Sequence, residues 1–312
     1  MGCGSAVPGP DRLIAPVAVE VDIPAVFDAE TWTTLCSGLA EAGCAFMNLV
    51  ANGGSAAVLA LAARLPESLE LAITAPLDAV SPSVLHSIRI RPAWTLRVTV
   101  DMAAPPPPIL GTLAAAATAA GAVVVLVGAL PPHRLWAAWL GSAQLPAVRA
   151  VNVLDKYDCP PAAYPDFLAD VAAFAQLLDR PLISDLPLMA RYIEAPPFPP
   201  SRCPAGRLAA FVAVCGSLQP CRHVPHVTAN LLDGTVETAS VARRVADGWR
   251  AMGSWPQLNL PVECAACAVE DCKGGCRARA DFGGRDRYCV SHQKKSLWTS
   301  SPQDGMLDCV SP

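Results

Sequence analysis

Between residues 16 and 154 the sequence repeats one alternation six times, a short β-branched or aliphatic run followed by a helix-compatible run. PVAVEVD (16–22) reads as a strand. DAETWTTLCSGLAEAG (28–43) reads as a helix capped by Asp28, with Trp32, Leu35 and Leu39 on one face. CAFMNLVA, LELAITA, TLRVTVD (95–101), VVVLV (123–127) and VRAVNVL (148–154) supply five further strands, with helix-compatible runs between most of them. Strand and helix units in series predict a parallel sheet with helices outside it, either an incomplete barrel or a doubly wound sheet. The pattern stops at the proline-rich stretch EAPPFPPSRC (194–203), which reads as a linker. The expected organisation is therefore an α/β domain over residues 1–195 and a smaller, cysteine-rich domain over 196–312.

The run ILGTLAAAATAAGAVVVLVGAL (109–130) is long enough to span a bilayer. Its alanine-rich first half favours helix, Gly121 punctuates it, and VVVLV is β-branched, so it parses as a helix feeding a buried strand. No membrane association is expected. The amino terminus has no basic segment leading into an apolar one, so no secretory signal is read and a cytoplasmic location is expected. With a net charge of −4 and no dense basic block, nothing steers the chain toward nucleic acid. P-loop, GxGxxG and GxSxG elements are absent from the sequence, which leaves the common nucleotide and acyl-transfer readings without support.

In a reducing compartment the thirteen cysteines are metal-ligand candidates before they are disulfide candidates. Past the linker stand Cys203, Cys215, Cys221, Cys264, Cys267, Cys272, Cys276, Cys289 and Cys309. Seven of these, Cys203 to Cys289 without Cys215, exceed what one tetrahedral centre holds. Two sites with interleaved ligands fit better, because CxxC pairs and short gaps let a loop fold back around a metal. Gly274 and Gly275 in CKGGC bring backbone amides close to such a centre. Thiolates alone do not separate iron–sulfur clusters from zinc.

The run from Cys203 to Cys289, with Gly216 between its first two thiols and the elements ECAAC and CKGGCRARA, resembles the seven-cysteine SPASM domain of radical SAM enzymes that mature peptides and proteins. The gap before Cys272 is four residues where the family more often has five. The resemblance implies one auxiliary [4Fe–4S] cluster on Cys264, Cys267, Cys272 and Cys289 and a second on Cys203, Cys221 and Cys276. A fourth ligand for the second would come from His223, His226, Cys215 or Cys159, or its iron would stay open. The fold it implies is an incomplete (β/α)6 radical-SAM-like barrel followed by the SPASM domain.

Two family features are missing from the first domain. After VAVEVD comes IPAVFDAETW, with no CxxxCxxC triplet for the cluster that binds S-adenosylmethionine. Cys36 and Cys44 read instead as small buried hydrophobes. After the second strand the family's GGEP stands as Gly53, Gly54, Ser55 and Ala56, without the glutamate that helps bind the methionine ammonium. This degenerate site makes S-adenosylmethionine an unexpected cofactor, and its cleavage by this chain alone is not expected.

Three function classes follow. The leading one is a non-catalytic SPASM-domain partner, a substrate-binding or electron-relay subunit with two [4Fe–4S] clusters, working beside a true radical SAM enzyme and a precursor peptide in a peptide or cofactor maturation system. The others are a maturase using an open auxiliary cluster or a partner chain's radical machinery, and a zinc-stabilised interaction module. No catalytic residue is assigned. Asp101, at a strand's carboxyl end, lies where ligands of open α/β sheets bind. Trp136 and Trp139 read as core-facing helix residues.

Overall fold

The computed structural model describes residues 15–89, 91, 94–129, 135–142, 147–154, 164–178, 182–184, 205–224 and 226–252. Its strands and helices alternate as β1 (Ala18–Ile23), α1 (Ala29–Glu41), β2 (Phe46–Ala51), α2 (Ser55–Ala62), β3 (Glu70–Pro76), α3 (Pro82–Arg89), β4 (Trp94–Thr99), α4 (Ile109–Ala120), β5 (Val123–Ala129), α5 (Leu135–Ser142), β6 (Val148–Leu154), α6 (Tyr164–Leu177) and β7 (Leu182–Ser184). Three short strands and a helix follow: β8 (Ala209–Val212), β9 (Ser217–Gln219), β10 (Ala229–Asn230) and α7 (Thr238–Met252).

All ten described strands join one sheet in the order β10-β9-β8-β1-β2-β3-β4-β5-β6-β7. β8 and β1 to β7 are parallel, whereas β9 and β10 run antiparallel to their neighbours. Strands β1 to β7 lie in chain order with no switch point, so every crossover steps the same way and the right-handed rule puts α1 to α6 on one face. That is the winding of a barrel, and it removes the doubly wound alternative. Among the described strands, β7 and β10 stand at the two ends of this order. The six expected strands are present, and the sheet extends beyond them on both sides.

The alternation read from the sequence sets the core. In β1, Val19, Val21 and Ile23 are buried against the helices while Glu20 and Asp22 point to the second face. Asp28 caps α1 as expected, its Oδ2 accepting from the Thr31 amide at 2.8 Å, and Trp32, Leu35 and Leu39 are buried. The candidate bilayer span resolves into α4, a left-handed cap at Gly121 (φ 64°) and β5. None of the described helices is long and apolar enough to cross a membrane. Trp136 is fully buried, donates its indole N–H to the Ala104 carbonyl at 2.7 Å, and meets Trp139 edge to face. Both tryptophans are packing residues.

Residues 205–252 belong to this same sheet and its helical layer. β8 pairs with β1, and α7 packs on α1, burying Val241, Val245, Trp249 and Met252. The crossing is close because α1 offers Gly38 there: a Cβ on it would stand 2.5 Å from the Val241 Cβ. The linker and the expected 195/196 boundary lie outside the described residues.

Candidate functional site

In a parallel sheet the loops after the strands' carboxyl ends gather at one edge, and ligands of such folds bind there. Three loops of that edge carry residues singled out in the sequence. The connection from β1 to α1 is only five residues, Pro24 to Asp28, with no cysteine. CxxxCxxC alone occupies eight positions. Gly53 stands against this connection: a Cβ on it would lie 2.7 Å from the Ala25 Cα and 2.9 Å from its Cβ. The close approach that Gly53 permits is therefore between two loops of the protein itself. Gly54 is the N-cap of α2, with nothing within 4 Å of an added Cβ. Ser55, in the place of the family's glutamate, is buried and donates its hydroxyl to the Ala79 carbonyl, tying α2 to the loop after β3. These residues do not fit a cluster that presents S-adenosylmethionine. Asp101 closes a local turn, its Oδ1 accepting from the Ala103 amide at 3.0 Å.

The second face of the sheet carries a polar system that the sequence reading did not single out. Asn48 donates from Nδ2 to Glu20 Oε2 at 3.0 Å, and Thr74 donates to Asn48 Oδ1 at 2.8 Å, linking β1, β2 and β3. Glu20 also accepts from Arg222 Nε at 2.7 Å, and Asp22 from Arg222 Nη2 at 2.8 Å. Burial raises the Asp22 carboxyl above its ordinary value, against the lowering influence of Arg222; neighbouring Glu20 raises it further. Further along the same face Asn152, 4% exposed, has a buried Oδ1 without a hydrogen-bond partner. The signal available in sequence was the interruption of aliphatic strands by single polar residues, as in VAVEVD.

Of the seven expected cluster ligands, only Cys221 lies among the described residues; Cys203, Cys264, Cys267, Cys272, Cys276 and Cys289 lie outside them, as does Cys159. Cys221 follows β9 in a turn bridged to Val224, at the end of the β8–β9 hairpin where β8 begins. That places it near the part of the chain that follows Cys203. His223 and His226 are exposed in the same segment. Cys215 sits at the opposite end of the three-residue strand β9 from Cys221. Its thiol is exposed and lies 3.0 Å from the Ser217 hydroxyl, whose hydrogen bond holds it below the ordinary thiol range. Among the described residues no three His, Cys, Asp or Glu side chains converge as a metal site.

Cys36 and Cys44 are core residues, 0% and 4% exposed. Burial pushes the Cys36 thiol far above its ordinary range and the Cys44 thiol up to about 12. Cys44 donates to the Phe46 carbonyl at 3.0 Å.

The sequence matches no protein-family model and no curated protein. Its structure is similar to that of SuiB from Streptococcus suis, with a TM-score of 0.65 at 12% identity over 90% of this chain and 78% of that one. SuiB bound to its precursor peptide SuiA matches with a TM-score of 0.61 at 11% identity, over 91% of this chain and 77% of that one. SuiB bound to S-adenosylmethionine matches at 0.56 and 12% identity, over 86% and 73%. At this identity the likeness is one of fold, and it supports the radical-SAM-like architecture expected from the sequence.

Proposed function

We propose that this chain is a non-catalytic, SPASM-type partner protein of a peptide or cofactor maturation system, carrying two auxiliary [4Fe–4S] clusters in the region 196–312. Cys264, Cys267, Cys272 and Cys289 hold one cluster; Cys203, Cys221 and Cys276 hold the other. The chain grips a precursor peptide or relays electrons beside a radical SAM enzyme that supplies the radical. The observation that carries this reading is a contrast within one fold. The architecture is similar to that of a protein solved with S-adenosylmethionine and with a precursor peptide, while the five-residue β1–α1 connection has no thiol and Ser55 is tied into the scaffold. Cluster chemistry resides in the metal centre, and the protein tunes it through ligands, hydrogen bonds and burial.

Anaerobically purified protein tests this reading. It is expected to be brown, to absorb broadly near ~400 nm, and to hold about eight iron and eight sulfide per chain. Incubated with reductant and S-adenosylmethionine, it is expected to form no 5′-deoxyadenosine above a no-protein control, by mass spectrometry. Zinc in place of iron overturns the cluster assignment; 5′-deoxyadenosine from this chain alone overturns the non-catalytic role.

A further inference from the structure

Arg222 is held by two carboxylates and an aromatic ring at once. Its Nε donates to Glu20 and its Nη2 to Asp22, at 2.7 and 2.8 Å, and its guanidinium carbon lies 5.4 Å from the centroid of the Phe211 ring. Two carboxylates and an aromatic face are the set that recognises a guanidinium, through charge-assisted hydrogen bonds along its edge and a cation–π contact on its plane.

The two halves of this contact differ in character. The receiving half is built into the sheet. Glu20 and Asp22 alternate onto one face of β1, Phe211 is the register partner of Glu20 on β8 and is 5% exposed, and Asn48 with Thr74 behind it fixes the second oxygen of Glu20. The occupying half is a surface turn. Arg222, His223, His226 and Val227 are exposed, and Cys221 and Val224 close the turn through an isolated bridge. The Arg222 side chain leaves this contact by rotation about its own bonds, with the backbone of the turn left in place. The Arg222 side chain itself is 40% exposed, so water reaches the pair from one side.

We propose that Glu20, Asp22 and Phe211 form a guanidinium-binding site, that the chain's own Arg222 occupies it as an internal stand-in, and that the arginine side chain of a peptide exchanges with it. The source of that arginine, a precursor peptide, rests on the function proposed above; the site itself does not. Self-occupancy lowers the apparent affinity for an external guanidinium by the fraction of molecules in which the site is open, so a tenfold reduction corresponds to about one open molecule in ten. Removing the internal arginine restores the intrinsic affinity.

The test is the binding of N-acetyl-arginine methylamide, by calorimetry or NMR titration, to the full chain and to Arg222→Ala and Arg222→Gln. Glutamine keeps an aliphatic stem over Phe211. Both variants are expected to bind the arginine probe at least tenfold more tightly than the parent protein, with no binding of the uncharged citrulline analogue. Adding Glu20→Gln and Asp22→Asn to Arg222→Gln is expected to abolish the gain. Equal affinity in the parent and in either folded variant overturns the site. If both variants fail to fold, methylguanidinium at millimolar concentration is expected to restore their melting transition, and failure to do so makes Arg222 a structural strut and overturns the proposal. Probe binding that an arginine-bearing precursor peptide does not compete away overturns the peptide as exchange partner, whatever the metal content proves to be.

Discussion

Gly53 and Ala25 are packed so closely that the first atom of any side chain at position 53 would lie 2.7 Å from the Ala25 Cα. The glycine pair at this edge of the sheet thus divides into one residue required by the scaffold and one that is not. Gly53→Ala forces backbone to move and is expected to cost about 1–3 kcal/mol, as overpacking does. Gly54→Ala faces open space from an extended N-cap (φ −61°, ψ 126°), and is expected to stay within about 0.5 kcal/mol of the parent, since alanine's poorer N-capping is offset by the lower conformational freedom it gives the unfolded chain. Urea unfolding of the two variants checks the contrast; equal losses would show that the Ala25 contact does not decide the position.

Ser55→Glu returns the charged side chain that the radical SAM resemblance leads one to expect. The position is 5% exposed and its hydroxyl is committed to Ala79. Placing a carboxylate there breaks that hydrogen bond and buries a charge, an expected loss on the order of 3 kcal/mol. Melting temperature and 5′-deoxyadenosine assays on this variant should show a less stable protein with no gained activity. Ser55→Ala, which removes the hydroxyl alone, is expected to lose about 1 kcal/mol.

Thiol labelling distinguishes the cysteines by environment. Cys215 is exposed and its thiol lies below the ordinary range, so iodoacetamide should modify it quickly, with a rate that rises at lower pH than for a model thiol. Cys36 and Cys44 are buried and should stay unmodified until the chain unfolds. The sign of the linkage follows from the raised thiols: the fold holds their protons more tightly than the unfolded chain. Their contribution to stability is full below the ordinary value of 9.0 and fades as pH rises toward about 12 for Cys44. Cys44→Ala should flatten that alkaline loss in thermal melts taken across the window.

Cluster loss should follow the interleaved ligand sets. Cys221→Ala and Cys203→Ala are expected to remove one cluster, about four iron per chain, and Cys264→Ala and Cys272→Ala the other. Cys215→Ala should keep the full iron content because it sits at the far end of β9 from Cys221. Iron analysis with EPR of the reduced protein reads all five. A shared loss in the first four, or any loss in Cys215→Ala, contradicts the assignment.

What the sequence by itself determined were features that depend on near neighbours along the chain. The period-two pattern of VAVEVD, the Asp28 cap with Trp32, Leu35 and Leu39 behind it, and Gly121 dividing a long apolar run are local, and each appears in the structure where the residues placed it. The missing triplet after β1 was equally legible, because ligand spacing is a property of the sequence. Tertiary structure decided what depends on distant partners. Sequence could not choose between a barrel-type and a doubly wound order, since both use the same strand and helix units; the sequential pairing of β1 to β7 makes that choice. It could not place AAFV, only four residues long, beside β1 across nearly two hundred positions of chain, nor separate Cys215 from Cys221 along a strand. Glu20 and Asp22 looked like ordinary polar residues of an alternating strand. They became a built site because β8 and the turn after β9 bring Phe211 and Arg222 onto the same face, a juxtaposition set by packing between segments some two hundred residues apart.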